Sequence, residues 1–107
     1  IPADMEVHLG MALSLDTETL IAYYQAMIDR PDRRSVLARA NYPVLFVVGM
    51  LDNAVPYRQV LSQASLPDVA MLELWPDIGH TGMLETPERM NSILNSYCKY
   101  VWDSKKP

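Results

Sequence analysis

Between Asp16 and Pro31, Leu20, Tyr23, Tyr24, Met27 and Ile28 recur at three- and four-residue spacing, the period of one apolar helix face. Asp16, Thr17 and Glu18 supply a capping residue and early negative charge for that helix. Pro31 ends it, because proline disfavours the helical conformation in the residue before it. Asp32 is positioned to cap a second, shorter helix through about Ala40, with Val36, Leu37 and Ala40 inward. Pro43 to Gly49 (PVLFVVG) is continuously apolar and β-branched-rich, the pattern of a strand buried on both faces within a parallel sheet. Pro56 suits the first position of a helix that turns Val60, Leu61 and Ala64 inward. Val69 to Trp75 reads as a second strand, more mixed because of Glu73. Residues 76–83 read as a loop. Thr86 and Pro87 then open a last helix, with Glu88 near its positive end and Met90, Ile93, Leu94, Tyr97 and Val101 as its buried stripe. Ile1 to Leu15 is apolar and methionine-rich without a clear period, and reads as a loop or the tail of a preceding helix.

Strand, helix, strand, helix is the order of a βαβ unit with a right-handed crossover. The predicted class is therefore α/β, a βαβ unit of a parallel sheet with flanking helices. The length of 107 residues suits one domain, but two parallel strands are a poor sheet by themselves. The chain accordingly reads as part of a larger α/β sheet. Ile1 is not an initiator methionine, so the beginning of the chain is uninformative about targeting.

Composition narrows the function classes. Half the residues are hydrophobic and 21% are charged, a globular balance. The net charge of −4 argues against a nucleic-acid partner, and Arg30, Arg33 and Arg34 share their segment with Asp29 and Asp32. No apolar run reaches membrane-spanning length. Cys98 is the single cysteine, which excludes an internal disulfide and is compatible with a reducing, cytoplasmic compartment. With only His8, His80 and Cys98 as soft ligands, no metal site is indicated.

The candidate chemistry lies in two loops, each following a strand: Gly49 to Pro56 (GMLDNAVP) and Gly79 to Pro87 (GHTGMLETP). In a parallel sheet both emerge at the carboxyl edge, where open α/β folds hold their sites. Neighbouring strands run about 4.8 Å apart, close enough for Asp52 and His80 to meet. A carboxylate beside an imidazole fixes the ring tautomer and stabilises the imidazolium formed when the ring accepts a proton. Each residue also has a plainer role open to it. An aspartate after a strand is commonly a turn residue or cap, and a Gly-His pair is commonly a loop with a satisfied histidine. Glu85 reads as an anchor for the loop carrying His80, His8 as a surface or loop residue, and Cys98 as a packing residue beside the last helix's stripe.

Both loops resemble the α/β-hydrolase family. Residues 43–56 are similar to its late strand ending in Gly-x-x-Asp before Val-Pro. Residues 79–87 are similar to its last-strand loop, in which the catalytic histidine precedes Glu-x-Pro and the closing helix. The family order of nucleophile, acid and histidine agrees with Asp52 before His80. The resemblance implies a partial α/β-hydrolase fold, with residues 1–30 as the tail of a cap region and connecting helix and residues 31–107 as the carboxyl-terminal part of the core. Met5, Met11 and the tyrosines are candidates to line an apolar pocket under such a cap.

It further implies an esterase-like activity without a cofactor on a small-molecule substrate, with Asp52 and His80 as catalytic acid and base. The family's Gly-x-Ser-x-Gly elbow is absent, and none of Ser14, Ser35, Ser62, Ser65, Ser92, Ser96 or Ser104 has that setting. The chain by itself is therefore predicted to be inactive, because a triad without its nucleophile and oxyanion donors lacks its main transition-state interactions. A dehalogenase or epoxide hydrolase would use an upstream aspartate instead. A non-catalytic binding or association module on the same fold is the other reading, and the isolated chain is expected to self-associate through open strand edges.

Overall fold

A computed structural model describes residues 3–105, Asp4 by its backbone alone. The chain divides into two compact units, Ile1–Asp32 and Arg33–Pro107. The first contains helices α1 (Ala3–Ser14) and α2 (Thr17–Ile28). The second runs α3 (Arg34–Leu37), β1 (Val44–Gly49), α4 (Tyr57–Ala64), β2 (Ala70–Trp75), α5 (Gly82–Glu85) and α6 (Pro87–Asp103).

In the first unit the segment left without a period is a helix. Its apolar residues Met5, Val7, Leu9, Met11 and Leu13 alternate rather than recur every three or four, so they spread around the helix and all are exposed. His8 lies on this helix and is exposed. Asp16 caps α2 as expected, its carboxylate accepting from the Thr19 amide at 2.7 Å and the Thr19 hydroxyl at 3.0 Å. The Thr19 amide is the foremost cause that holds the Asp16 carboxyl below its ordinary value. No residue of α2 is buried, although its apolar stripe is present. A unit of two helices offers little interior in which to bury one.

In the second unit the two strands pair in parallel, in the register Val44 with Ala70 through Gly49 with Trp75. Helix α4 connects them and packs against both. The mixed α/β class and the parallel pair are thus as expected. Because the strands run the same way, the loops after Gly49 and Trp75 leave from one edge. Helix α5 packs on α6, and the Tyr97 hydroxyl of α6 donates to the Pro43 carbonyl at 2.7 Å, tying the last helix to the start of β1.

Burial departs from the expectation of a strand covered on both faces. Val48 alone is buried in β1, and Leu72 and Leu74 of β2 are each 40% exposed. Two strands are too narrow for neighbouring helices to enclose both faces. The apolar core instead gathers at the carboxyl edge, from Val48, Trp75 and Ile78, with Ala40 buried as well. Trp75 is 1% exposed. Its indole donates to Glu73 at 3.1 Å, and the Arg89 guanidinium lies 4.4 Å above its ring while bonding Asp77 at 3.3 Å.

Several boundaries shift for local reasons. The cap position of α3 is Arg33, not Asp32, and the helix is a single turn. Pro56 is extended, with ψ 129°, so it precedes α4 instead of opening it. Part of the loop expected over residues 76–83 is taken into α5. Pro87 opens α6 behind Thr86, as expected, but the Thr86 side chain makes no capping bond. Of the α6 stripe, Met90, Ile93, Tyr97 and Val101 are half-buried and Leu94 is exposed. Cys98 is exposed rather than packed; one position past Tyr97, it lies about 100° around the helix from the inward face.

Candidate active site

The loop after β1 is held against the loop after β2 by main-chain bonds. The Met50 amide donates to Trp75 and the Leu51 amide to Ile78, each at 2.9 Å. These contacts need a glycine at position 49, because a Cβ there would overlap the Gly79 carbonyl oxygen and approach the Ile78 oxygen to 2.6 Å.

Asp52 is three residues beyond Gly49, and its two carboxylate oxygens do different work. Oδ1 accepts from the Ala54 amide at 2.8 Å and the Val55 amide at 2.9 Å, the turn-forming role common to aspartates after strands. Oδ2 is 2.8 Å from Nδ1 of His80. The Val55 amide first, and then the His80 hydrogen bond, lower the Asp52 carboxyl below its ordinary value. An ionised carboxylate only accepts hydrogen bonds, so the shared proton belongs to Nδ1 of His80. The neutral ring then carries its lone pair at Nε2, the form required of a general base. The Asp52 side chain is 12% exposed and that of His80 61%, so the carboxylate is sheltered while the ring faces outward.

Glu85 holds the backbone on both sides of His80. Its Oε2 accepts from the Gly79 amide at 2.9 Å, and its Oε1 from the Thr81 amide at 3.0 Å and the Thr81 hydroxyl at 3.2 Å. The Glu85 amide in turn donates to the Thr81 carbonyl at 3.0 Å. This exchange resembles a capping box, in which an acidic side chain returns to the amide at the start of its helix. The Gly79 amide is the foremost cause lowering the Glu85 carboxyl below its ordinary value. The anchoring role expected of Glu85 is therefore realised, through the main chain rather than the ring.

A cleft of about 250 Å³ adjoins the pair, lined by Val48, Val55, Trp75, Ile78 and Met90 together with Asp52 and His80. The arrangement is chemically able to act as a base, at His80, with Asp52 orienting its ring. The hydroxyls of Ser14, Ser62, Ser65, Ser96 and Ser104 each donate to a carbonyl three or four residues earlier. None of these five is directed at His80.

Two contributions escape a reading by motif. Gly49 and Gly79 flank the candidate residues in sequence, but their mutual approach depends on strand register. Trp75 looks like a strand terminus, yet it is buried, lines the cleft beside Asp52 and His80, and lies against Gly82. Its signal is a large aromatic placed immediately before a proline-containing loop. Among the described residues, no three His, Cys, Asp or Glu side chains gather to hold a metal ion, and no helix is long and apolar enough to cross a membrane.

Comparison with protein families, with curated proteins and with solved structures finds no match to this chain.

Proposed function

We propose that Asp52 and His80 are the acid and base of a nucleophile-His-Asp hydrolase of the α/β-hydrolase type, and that this chain is the part of it carrying those two residues. The observation that carries the reading is the 2.8 Å Nδ1 to Oδ2 hydrogen bond between loops leaving one edge of a parallel strand pair. It joins the two residues that the Gly-x-x-Asp and Gly-His-(x)4-Glu-x-Pro resemblances single out independently. Proton abstraction at Nε2 is the chemistry that such a pair performs.

In the complete enzyme, Nε2 of His80 takes the proton of a nucleophile, in the simplest case serine, as it attacks an ester, amide or similar carbonyl. Asp52 keeps the ring in the Nδ1–H tautomer and stabilises the imidazolium. Its proton then passes to the leaving group, and an acyl-enzyme results. Water deprotonated by His80 hydrolyses that acyl-enzyme. The nucleophile and oxyanion donors belong to sheet elements beyond these two strands. Residues 1–30 are the tail of a cap region in this reading, and residues 31–107 the end of the core.

The test begins with the intact mass of the native polypeptide and its sequence upstream of Ile1. The longer protein should contain a nucleophile elbow, hydrolyse p-nitrophenyl esters or anilides, and lose that activity in His80→Ala. The 107-residue chain alone should not be labelled by a serine-reactive fluorophosphonate. A longer protein without an elbow, or one hydrolysing equally well after His80→Ala, removes the proposal.

A second reading is a non-catalytic binding or association module on the same fold. The 40% exposure of Leu72 and Leu74 favours it, since apolar strand surface left open is surface available to a partner.

A further inference from the structure

We infer that Glu85 is the positioning residue of His80: by gripping the peptide groups on both sides of the histidine, it fixes the ring against Asp52 in the Nδ1–H tautomer. The inference rests on the acid–base reading of Asp52 and His80 and extends it to a third side chain that touches neither.

The argument begins with exposure. The His80 side chain is 61% exposed, so little packing restrains the ring, and an exposed side chain held by one hydrogen bond samples several rotamers. The restraint lies in the main chain. Gly79 and Thr81 flank His80, and the amides of both donate to one carboxylate, at 2.9 and 3.0 Å, through different oxygens. A bidentate acceptor fixes the separation and direction of two N–H groups at once. It therefore sets the position of the His80 Cα and its Cβ vector. The Thr81 hydroxyl adds a third bond at 3.2 Å.

The grip has its own support. Glu85 closes α5, a single turn packed on α6, and its amide bonds the Thr81 carbonyl at 3.0 Å. Gly79 makes room for the carboxylate, since a Cβ there would lie 3.2 Å from Oε1. On the other side Gly49 abuts the Gly79 carbonyl. The histidine loop is thus clamped between the end of β1, which leads to Asp52, and Glu85. Both ends of the Asp52–His80 bond are referred to the same few peptide groups. A displacement of about 1 Å in a catalytic group can cost about a hundredfold in turnover, so a grip on the backbone around His80 bears directly on the base.

Glutamine at position 85 tests this at nearly constant shape. Its amide nitrogen can only donate, so one of the two backbone N–H groups loses its acceptor. The readout is nitrogen-15 NMR of the histidine rings in the full 107-residue chain, at a pH where they are neutral. His8 is the only other histidine and serves as an internal reference. The wild type should show His80 locked as Nδ1–H with a slowly exchanging ring proton. Glu85→Gln should lose that slow exchange and populate the Nε2–H tautomer, with His8 and the β1 and β2 amides unchanged. Glu85→Asp, which keeps both oxygens on a shorter stem, should fall between the two.

A folded Glu85→Gln with an unchanged His80 tautomer overturns the inference. So does collapse of the sheet amides in both variants, which assigns Glu85 to the fold instead. These outcomes are separable from failure of the underlying reading. If the wild-type ring itself is not Nδ1–H, or if Asp52→Asn leaves its tautomer unmoved, the acid–base pair fails, whatever Glu85 does.

Discussion

Gly49, the last residue of β1, abuts the carbonyl of Gly79, the residue before His80, so closely that a Cβ on Gly49 would overlap that oxygen. The contact joins the two halves of the candidate site through their backbones. It sets how near the Asp52 turn comes to the His80 loop before either side chain is considered.

Gly49→Ala tests that relationship. Both opposing atoms are backbone oxygens, so relief requires one loop to move, at a cost of about 1–3 kcal/mol for overpacking of this kind. Urea denaturation should give a lower midpoint with an unchanged slope. His80 should also lose its hydrogen bond to Asp52 in the ring NMR spectrum. An alanine variant with wild-type stability and an intact ring signal would show that the loops tolerate separation.

Asp52→Asn retains size and the turn, since its Oδ1 can still accept from Ala54 and Val55. Its amide group, however, presents a donor where His80 requires an acceptor. The ring then turns its lone pair toward Nδ1 and loses the base at Nε2. In the proposed full-length hydrolase kcat should fall about 10⁴-fold, the scale found for this substitution in a serine protease triad, with KM little changed. A fall of only a few fold would remove Asp52 from the mechanism.

Acid should weaken the second unit by a defined route. The Asp52 and Glu85 carboxyls are both lowered in the folded chain by the hydrogen bonds they accept. A depressed carboxyl stabilises the fold fully above its unfolded value, about 4 for these groups, and that contribution disappears as pH falls through the lower folded value. Melting temperature should therefore be insensitive to these groups near neutrality and decline below about pH 4. Asp52→Asn and Glu85→Gln should each flatten the decline. If both variants lose stability with acid as steeply as the wild type, other groups carry the effect.

The isolated chain should self-associate. Its sheet has two strands in the order β1-β2, and Leu72 and Leu74 leave apolar surface beside them, an arrangement that invites edge pairing or element exchange. Light scattering across a concentration series should show mass above 12.1 kDa. A lysine in place of Leu72 should shift it toward the monomer. A well-folded monomer at high concentration would contradict this.

The glutamate grip bears on how much of the site is legible in advance. A glutamate just before the capping position Thr86 signals an anchor, but not that the anchor takes both amides around a histidine. The distinction depends on α5, which replaces part of a stretch that reads as loop.

The sequence alone determines the strands, the helix between them and the order of Asp52 and His80, because these follow from short-range rules. A β-branched run between Pro43 and Gly49 has few conformations open to it, Pro87 before an apolar stripe at helical spacing suits the first turn of a helix, and two strands of one sheet joined by a helix ordinarily run parallel. It also offers Asp52 a turn and a base to orient without choosing between them. The tertiary structure decides what depends on distance across the chain. Asp52 makes both sets of contacts, one oxygen for the turn and the other for the His80 ring, because strand register brings His80 within 2.8 Å. Register also brings Gly49 against Gly79, and Trp75 is buried beside Gly82, whereas no residue of α2 is buried despite its apolar stripe. Periodicity states which face of an element is apolar; only the neighbours present decide whether that face is buried.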